Sequence, residues 1–194
     1  MKKLTIIIIG IAVVITVFAV RTLIIAGEFK TIDSHFAGSC IPVEGAIGAE
    51  DITILSNGTA LISADDRRKT LAGTPVQGAV FSYSLSEQNP KLINLSSDLD
   101  FEFHPHGISV FEHENGSVSL AVVNHTEQGH FIELFDLKDD VLVHRRSIAD
   151  PLMISPNDVV LLDADRFYVT NDHGPVSEFG RTLEEYLQLE RCTM

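Results

Sequence analysis

The chain opens with a long apolar run that carries no charge. This run extends from Leu4 to Val20, with Lys2 and Lys3 before it and Arg21 after it. At about 1.5 Å per residue it nearly crosses a hydrocarbon core of about 30 Å, and the apolar stretch continues to residue 26. The pattern predicts an N-terminal transmembrane or signal-anchor helix within residues 1–27, with membrane contact through residues 4–26.

A cleavable signal peptide is the rival interpretation of this run. Such peptides have an apolar region of about 7–15 residues that ends in a small-x-small site. Here the run is longer, and Arg21 stands where that site is expected. We therefore favour an uncleaved anchor, with the two lysines in the cytoplasm. Both interpretations place the rest of the chain on the extracytoplasmic side, in a periplasmic, lumenal or extracellular space.

After the anchor, short alternating strands are separated by tight turns. Three hairpins share one plan: residues 52–55 with 59–64, residues 107–111 with 117–124, and residues 159–162 with 167–171. A polar pair opens each of them: Glu50-Asp51, His106-Gly107 and Asn157-Asp158. The pairs recur after about fifty residues, and further strand pairs lie between them.

A repeat of about 40–50 residues with four short strands is typical of a β-propeller blade. We therefore predict an all-β fold in which residues 28–194 form a partial β-propeller of about three blades. An ordinary β-sandwich is the alternative. Propellers close with about 4–8 blades, so either two chains complete one ring or this chain is part of a longer one. Residues 182–189 are the only helical pattern of any length after the anchor.

The net charge and the cysteine content argue against several classes of function. The net charge is −13, and such a surface repels phosphate backbones, which argues against nucleic-acid binding. The same charge attracts hard cations. Two cysteines are too few for a disulfide-dense scaffold or a multi-cysteine zinc module.

The polar pairs suggest a shared cation site. In a propeller, the opening ends of the inner strands converge on the central channel, so their carboxylate and amide oxygens meet there. Oxygen ligands of this kind suit Ca²⁺, whereas zinc prefers histidine and cysteine. Taken singly, each pair is more often a turn or a cap. The candidate ligands with these oxygens are Glu50, Asp51, Asn157 and Asp158.

Two histidines provide a second indication of function. The hairpin that turns near residue 115 folds His106 back toward His125, and the next hairpin ends near His173. Two neighbouring imidazoles can act on one water, one as the base and the other as a helper that shares the proton. Nucleophile elbows, phosphate loops and HExxH motifs are absent from the sequence. The chemistry that these residues favour is hydrolysis by activated water.

With these motifs in place, the sequence resembles the paraoxonase/arylesterase family. The segments that carry the resemblance are residues 50–63, 105–109, 122–125, 156–158 and 167–173, in family order and spacing. The resemblance implies a six-bladed propeller with two calcium ions in its central tunnel. It also implies hydrolysis of lactones and aryl esters, so that a small ester or lactone is the expected partner.

The resemblance also implies individual roles. Glu50 and Asn157 match ligands of the catalytic calcium. Asp51, Asp158 and the backbone carbonyl of Ile108 match ligands of the structural calcium. His106 matches the base that acts on water, and His125 matches its assistant.

The family chain continues for about as long again beyond the matched part. In the family, the remaining ligands of the catalytic calcium and the cysteine that pairs with the counterpart of Cys40 lie in that second half. We therefore expect the N-terminal half of a calcium-dependent hydrolase, inactive alone, with a structural ion site more complete than the catalytic one. The alternatives are a membrane-tethered, non-enzymatic calcium-binding or interaction module, and a homodimer that covers the open propeller edge.

Overall fold

A computed structural model describes residues 2–194, and the first residue of the predicted anchor, Met1, lies outside the described part. The chain divides into two compact units, and the boundary between them along the sequence lies between Ile41 and Pro42. The first unit contains one long helix, and the second contains all of the β-sheets.

The long helix is α1, which covers Lys2–Ile25 and has 24 residues. Over residues 2–194 it is the one helix that is long and apolar enough to cross a membrane. Two of its threonine hydroxyls bond within the helix, because Thr16 donates to the carbonyl of Ala12 and Thr22 to that of Phe18. These internal bonds lower the cost of placing hydroxyls in hydrocarbon.

The second unit contains ten strands in three antiparallel sheets, none of which closes on itself within the described residues. The first sheet has the order β1 (Ala49–Ile54), β2 (Thr59–Ala64), β3 (Ala79–Ser84), β4 (Ile93–Asn94). The second has β5 (Pro105–Glu112), β6 (Val118–Thr126), β7 (Gly129–Lys138), β8 (Val141–Ile148). The third pairs β9 (Pro156–Leu161) with β10 (Phe167–Asn171).

The second sheet is packed on both of its faces. Leu120 and Val122 of β6 point into a core shared with the first sheet. Ala121 and Val123, which alternate with them, point into a core shared with the third sheet. A strand covered on both sides needs apolar residues at consecutive positions, and this explains the unbroken buried run in β6. The three sheets therefore stack in chain order.

The three hairpins are closed by the same contact at their open ends. In each hairpin, a residue at the end of the return strand or just after it donates its backbone N–H to the carbonyl of the residue just before the inner strand. These bonds run from Asp65 to Gly48, from His125 to His104, and from Asp172 to Ser155. In the second and third sheets a buried asparagine side chain adds a bond to the same segment, from His104 N–H to Asn124 and from Ser155 N–H to Asn171. The sequence repeat is thus a structural repeat.

The antiparallel β architecture and the three hairpins are confirmed, while a complete propeller is not present in these sheets. A short helix, α2 (Arg67–Leu71), was not predicted; the side chain of Asp66 caps it by accepting the backbone N–H of Lys69. The last helix, α3 (Glu178–Leu187), begins before the predicted start, because Ser177 caps it by accepting the N–H of Gly180.

Phe103 tests the packing between the first two sheets. Its side chain is fully buried and its ring lies 5.9 Å from that of Phe135. We expect Phe103→Ala to lower the free energy of unfolding by about 3–5 kcal/mol, because the neighbouring sheets cannot collapse into the cavity. Urea unfolding of the full chain in detergent micelles measures this. Phe179→Ala, at a 73% exposed position, is the control. Equal effects of the two substitutions would contradict the layered core.

Candidate functional site

The polar pairs of the three hairpins meet at one end of the stacked sheets. The inner strands β1, β5 and β9 each present their opening residues to a cavity of about 280 Å³. The cavity is lined by Glu50, Asp51, His106, Gly107, Asn157 and Asp158. Residues that are about fifty positions apart in sequence therefore share one site.

A β-bulge occurs in each inner strand at this level. The pairing register shifts between Ala49 and Ile52 in β1, between Pro105 and Ile108 in β5, and between Thr170 and Asn171 in the β9–β10 ladder. In each case the inner strand carries one residue more than its partner. A bulge re-aims side chains and bends the strand, so it turns the polar pair toward the cavity. The sequence pattern did not reveal these bulges.

Close backbone contact joins the three strands. Asp51 accepts the backbone N–H of Ile108 at 2.9 Å, which links β1 to β5. A Cβ atom on Gly107 would lie 2.5 Å from the carbonyl oxygen of Asn157 and 2.7 Å from Oδ1 of Asp158. Only glycine permits β9 to approach β5 this closely. Asp51, Ile108 and Asp158 are therefore gathered around Gly107.

The donors at this cavity are chiefly oxygen atoms. Because the N–H of Ile108 points away from β6 and toward Asp51, its carbonyl faces the same free edge of β5. Carboxylate, amide and carbonyl oxygens together form the kind of set that Ca²⁺ binds. Within residues 2–194, however, no group of three or more His, Cys, Asp or Glu side chains lies close enough to hold a metal ion. The set fits calcium only if amide and backbone oxygens contribute.

Glu50 is held between two cationic or proton-donating groups. Its carboxylate lies 3.0 Å from Nε2 of His106 and 3.2 Å from the guanidinium of Arg67. Because a carboxylate can only accept, Nε2 of His106 carries the proton. In the neutral ring Nδ1 then holds the lone pair. This Nδ1 is buried and has no hydrogen-bond partner among residues 2–194.

The His125 ring lies beside that of His106, with ring centroids 5.4 Å apart. Its Nδ1 is 2.9 Å from Nδ1 of His130, while its Nε2 is buried and finds no partner in the described chain. Burial and the neighbouring His130, His106, Arg67 and His104 lower the pKa of His125 to about 3. His125 is therefore neutral at every pH near neutrality.

A second cavity, of about 320 Å³, adjoins the first and shares His106 with it. Three histidines and three residues of α2 line it, together with two further residues: His104, His106, His125, Arg67, Thr70, Leu71, Asp65 and Pro105. His106 thus stands between an oxygen-lined cavity and a more apolar one, and His125 lines the second. An ester that placed its carbonyl in the first cavity would have room for a substituent in the second.

The family model described as Arylesterase matches residues 28–194 of the chain. The chain belongs to the arylesterase family. It is 37% identical to chicken (Gallus gallus) serum paraoxonase/arylesterase 2 over 168 residues, which cover 82% of this chain and 48% of that protein. It is 35% identical to rabbit (Oryctolagus cuniculus) serum paraoxonase/lactonase 3 over 159 residues, which cover 78% and 45%.

Human serum paraoxonase/arylesterase 1 is 33% identical over 160 residues, which cover 78% of this chain and 45% of that protein. The chain therefore spans about half the length of these curated relatives. The resemblance that the motifs indicated is confirmed at the level of the family.

The structure gathers most, but not all, of the residues that the sequence singled out. Glu50, Asp51, Asn157 and Asp158 share the first cavity with His106. His173 lies elsewhere, 3.4 Å from Glu184 and 3.6 Å from Glu185 of α3.

Arg67 and His130 were missed by the sequence analysis. His130 could have been found from the predicted hairpin alone, because it lies opposite His125 across a short turn. Arg67 gave no such signal, since α2 follows no periodic pattern. Cys40 and Cys192 are free and exposed.

The low pKa of His125 predicts an acid-sensitive fold. The unfolded chain has the ordinary value near 6.5, so between pH 6.5 and about 3 the unfolded state binds the extra proton. Stability is therefore lost as the pH falls through this window. At pH 5 we expect His125→Gln to remove about 2 kcal/mol of the acid-induced loss. Urea unfolding of both chains at pH 7 and pH 5 measures the difference, and parallel losses in the two chains would disprove the assignment.

Proposed function

We propose that this chain carries the metal ligands and the histidine pair of a calcium-dependent hydrolase that acts on aryl esters and lactones. The observation that supports the proposal most strongly is the convergence of three bulged strands on one oxygen-lined cavity beside two adjacent histidines. The names of the family relatives, which include arylesterases and a lactonase, agree with this chemistry.

Five residues would hold calcium at this site. Glu50 and Asn157 are the proposed ligands of a catalytic ion, and Asp51, Asp158 and the carbonyl of Ile108 those of a structural ion. A bound calcium ion supplies positive charge that polarises an ester carbonyl and stabilises the oxyanion. For Glu50 to serve as a ligand, its carboxylate has to exchange its contact with Arg67 for the metal. Arg67 is half exposed and can move into solvent.

The two histidines would act on the attacking water. Glu50 fixes the proton of His106 on Nε2, so that the lone pair on Nδ1 is free to take a proton from water. His125, with its own unpartnered Nε2 nearby, would orient the same water. Hydroxide formed there attacks the carbonyl carbon of the ester or lactone, and the C–O bond of the leaving group breaks. No covalent intermediate on the enzyme is needed.

The remaining assignments are proposals of the same kind. The stacked sheets would be about three blades of a six-bladed propeller, preceded by an anchor within residues 1–27. The polypeptide after the anchor would lie on the extracytoplasmic side. A second polypeptide segment or a second copy would cover the open sheet faces.

Calcium binding provides the first test. We expect Ca²⁺ to raise the melting temperature of the full chain, by an amount that corresponds to about 2.7 kcal/mol at about 100 times its Kd. Asp158→Asn should abolish this response, because it removes a charged oxygen at the point where β5 and β9 meet. Asp98→Asn, at an exposed position remote from the site, is the matched control. A calcium response that survives Asp158→Asn would refute the ligand assignment.

Hydrolysis provides the second test. The 194-residue chain and a fusion to the second half of the chicken relative are assayed on phenyl acetate and on a δ-lactone, with Ca²⁺ or with EGTA. We expect calcium-dependent turnover by the fusion, and a loss of about 10²–10⁴-fold in His106→Asn, since that variant lacks the base. Unchanged turnover in His106→Asn would rule out His106 as the base.

The same two assays distinguish the alternative function. Calcium binding by the chain, together with no ester or lactone hydrolysis by the fusion, would identify a non-enzymatic calcium-binding module. Turnover that is indifferent to EGTA would instead identify a hydrolase that does not use calcium.

A further inference from the structure

His130 contacts the ring of His125 through a hydrogen bond that the proposed chemistry does not use. It lies directly opposite His125 in the β6–β7 ladder, across a turn that is fixed by local bonds. In that turn, Thr126 donates its hydroxyl to the carbonyl of Gly129 and accepts the N–H of Gln128. The turn therefore sets the position of the His130 ring relative to His125.

The contact between the two rings restricts their protonation. The two Nδ1 atoms are 2.9 Å apart, which is a hydrogen-bond distance, so one of them carries a proton and the other a lone pair. Both rings have a lowered pKa: that of His125 through burial and the neighbouring imidazoles and guanidinium, and that of His130 through burial and Arg181. The pair is therefore neutral near pH 7, and its two tautomers are linked by this one bond.

Two observations decide which ring donates. Nε2 of His125 is buried without a partner among residues 2–194, and an unsatisfied buried N–H is rarer in proteins than an unsatisfied acceptor. Arg67 lines the same cavity as His125, and its positive charge favours a lone pair over an N–H on the ring nitrogen that His130 does not contact. Both observations place the His125 proton on Nδ1, directed at His130.

We propose that His130 is a positioning residue that accepts a hydrogen bond from Nδ1 of His125 and so keeps the lone pair of His125 on Nε2, toward His106. The inference rests on the proposed function, because it matters for a water shared by the two rings. That water would donate one O–H to Nδ1 of His106 and the other to Nε2 of His125. Both lone pairs of its oxygen would then be free for attack on a carbonyl carbon.

Histidine side-chain NMR of the full chain tests this directly. Long-range ¹H–¹⁵N spectra of ¹⁵N-labelled protein in micelles report which ring nitrogen carries the proton. In the wild-type chain we expect His125 as a single Nδ1–H tautomer at pH 7. In His130→Phe, which keeps a ring but offers no acceptor, we expect this single form to be lost to a mixture or to the Nε2–H form.

The conservative variant separates positioning from packing. The side-chain amide of His130→Asn has an acceptor oxygen near the place of Nδ1, so it should retain the Nδ1–H form of His125. His113→Phe is the control, since His113 bonds Ser119 at the other end of the same sheet. An Nε2–H form of wild-type His125, or an Nδ1–H form that survives in His130→Phe, would overturn the proposal.

The NMR experiment stays decisive if a variant does not fold or if the fusion is inactive. If His130→Phe does not fold, the wild-type tautomer and the comparison with His130→Asn still decide the outcome. The spectra need neither substrate nor turnover, so their result is independent of the hydrolysis assays. An inactive fusion with the expected tautomers would refute the proposed hydrolase and leave the hydrogen bond established.

Discussion

Each inner strand is an edge strand, and the whole site depends on how its unpaired backbone groups are satisfied. The strands β1, β5 and β9 pair with their own hairpin partners on one side only. On the other side, side chains from the neighbouring sheet take the place of a strand. Asp51 accepts the N–H of Ile108, and Ser109 accepts the N–H of Leu161. An unsatisfied edge would invite pairing with another chain.

This way of joining sheets has a chemical consequence. Because side chains rather than strands bridge the sheets, polar groups are required at the very point where three sheets converge. The bulges then turn extra residues into the space between them. The same polar groups that close the edges therefore supply the oxygen donors of the cavity. At the proposed calcium site, structural stability and cation affinity would draw on one set of atoms, so a substitution such as Asp158→Asn is expected to affect both.

The hairpins and their polar pairs could be predicted because alternation, turn residues and a regular repeat are local signals. The contacts of Arg67 could not be predicted, because they depend on a five-residue helix that has no periodic hydrophobic pattern. The buried bond between His104 and Asp65, 2.8 Å long, was equally hidden, because it joins two hairpins whose relative placement is set by sheet stacking. Local patterns predict which residues begin a strand, whereas the bulges determine the direction in which the side chains of those residues point.

The surroundings of His106 and His125 suit these two chemically identical rings to different proposed roles. His106 faces the carboxylate of Glu50, which fixes its proton on Nε2 and makes Nδ1 the basic atom. His125 is largely buried and lies beside other imidazoles and a guanidinium, and the resulting low pKa makes it a poor base near neutral pH. A ring that resists protonation can still accept a hydrogen bond from water, and it does not compete with His106 for the proton. The different roles of the two histidines in the proposed mechanism thus follow from the burial of each ring and from the groups beside it, and not from the rings themselves.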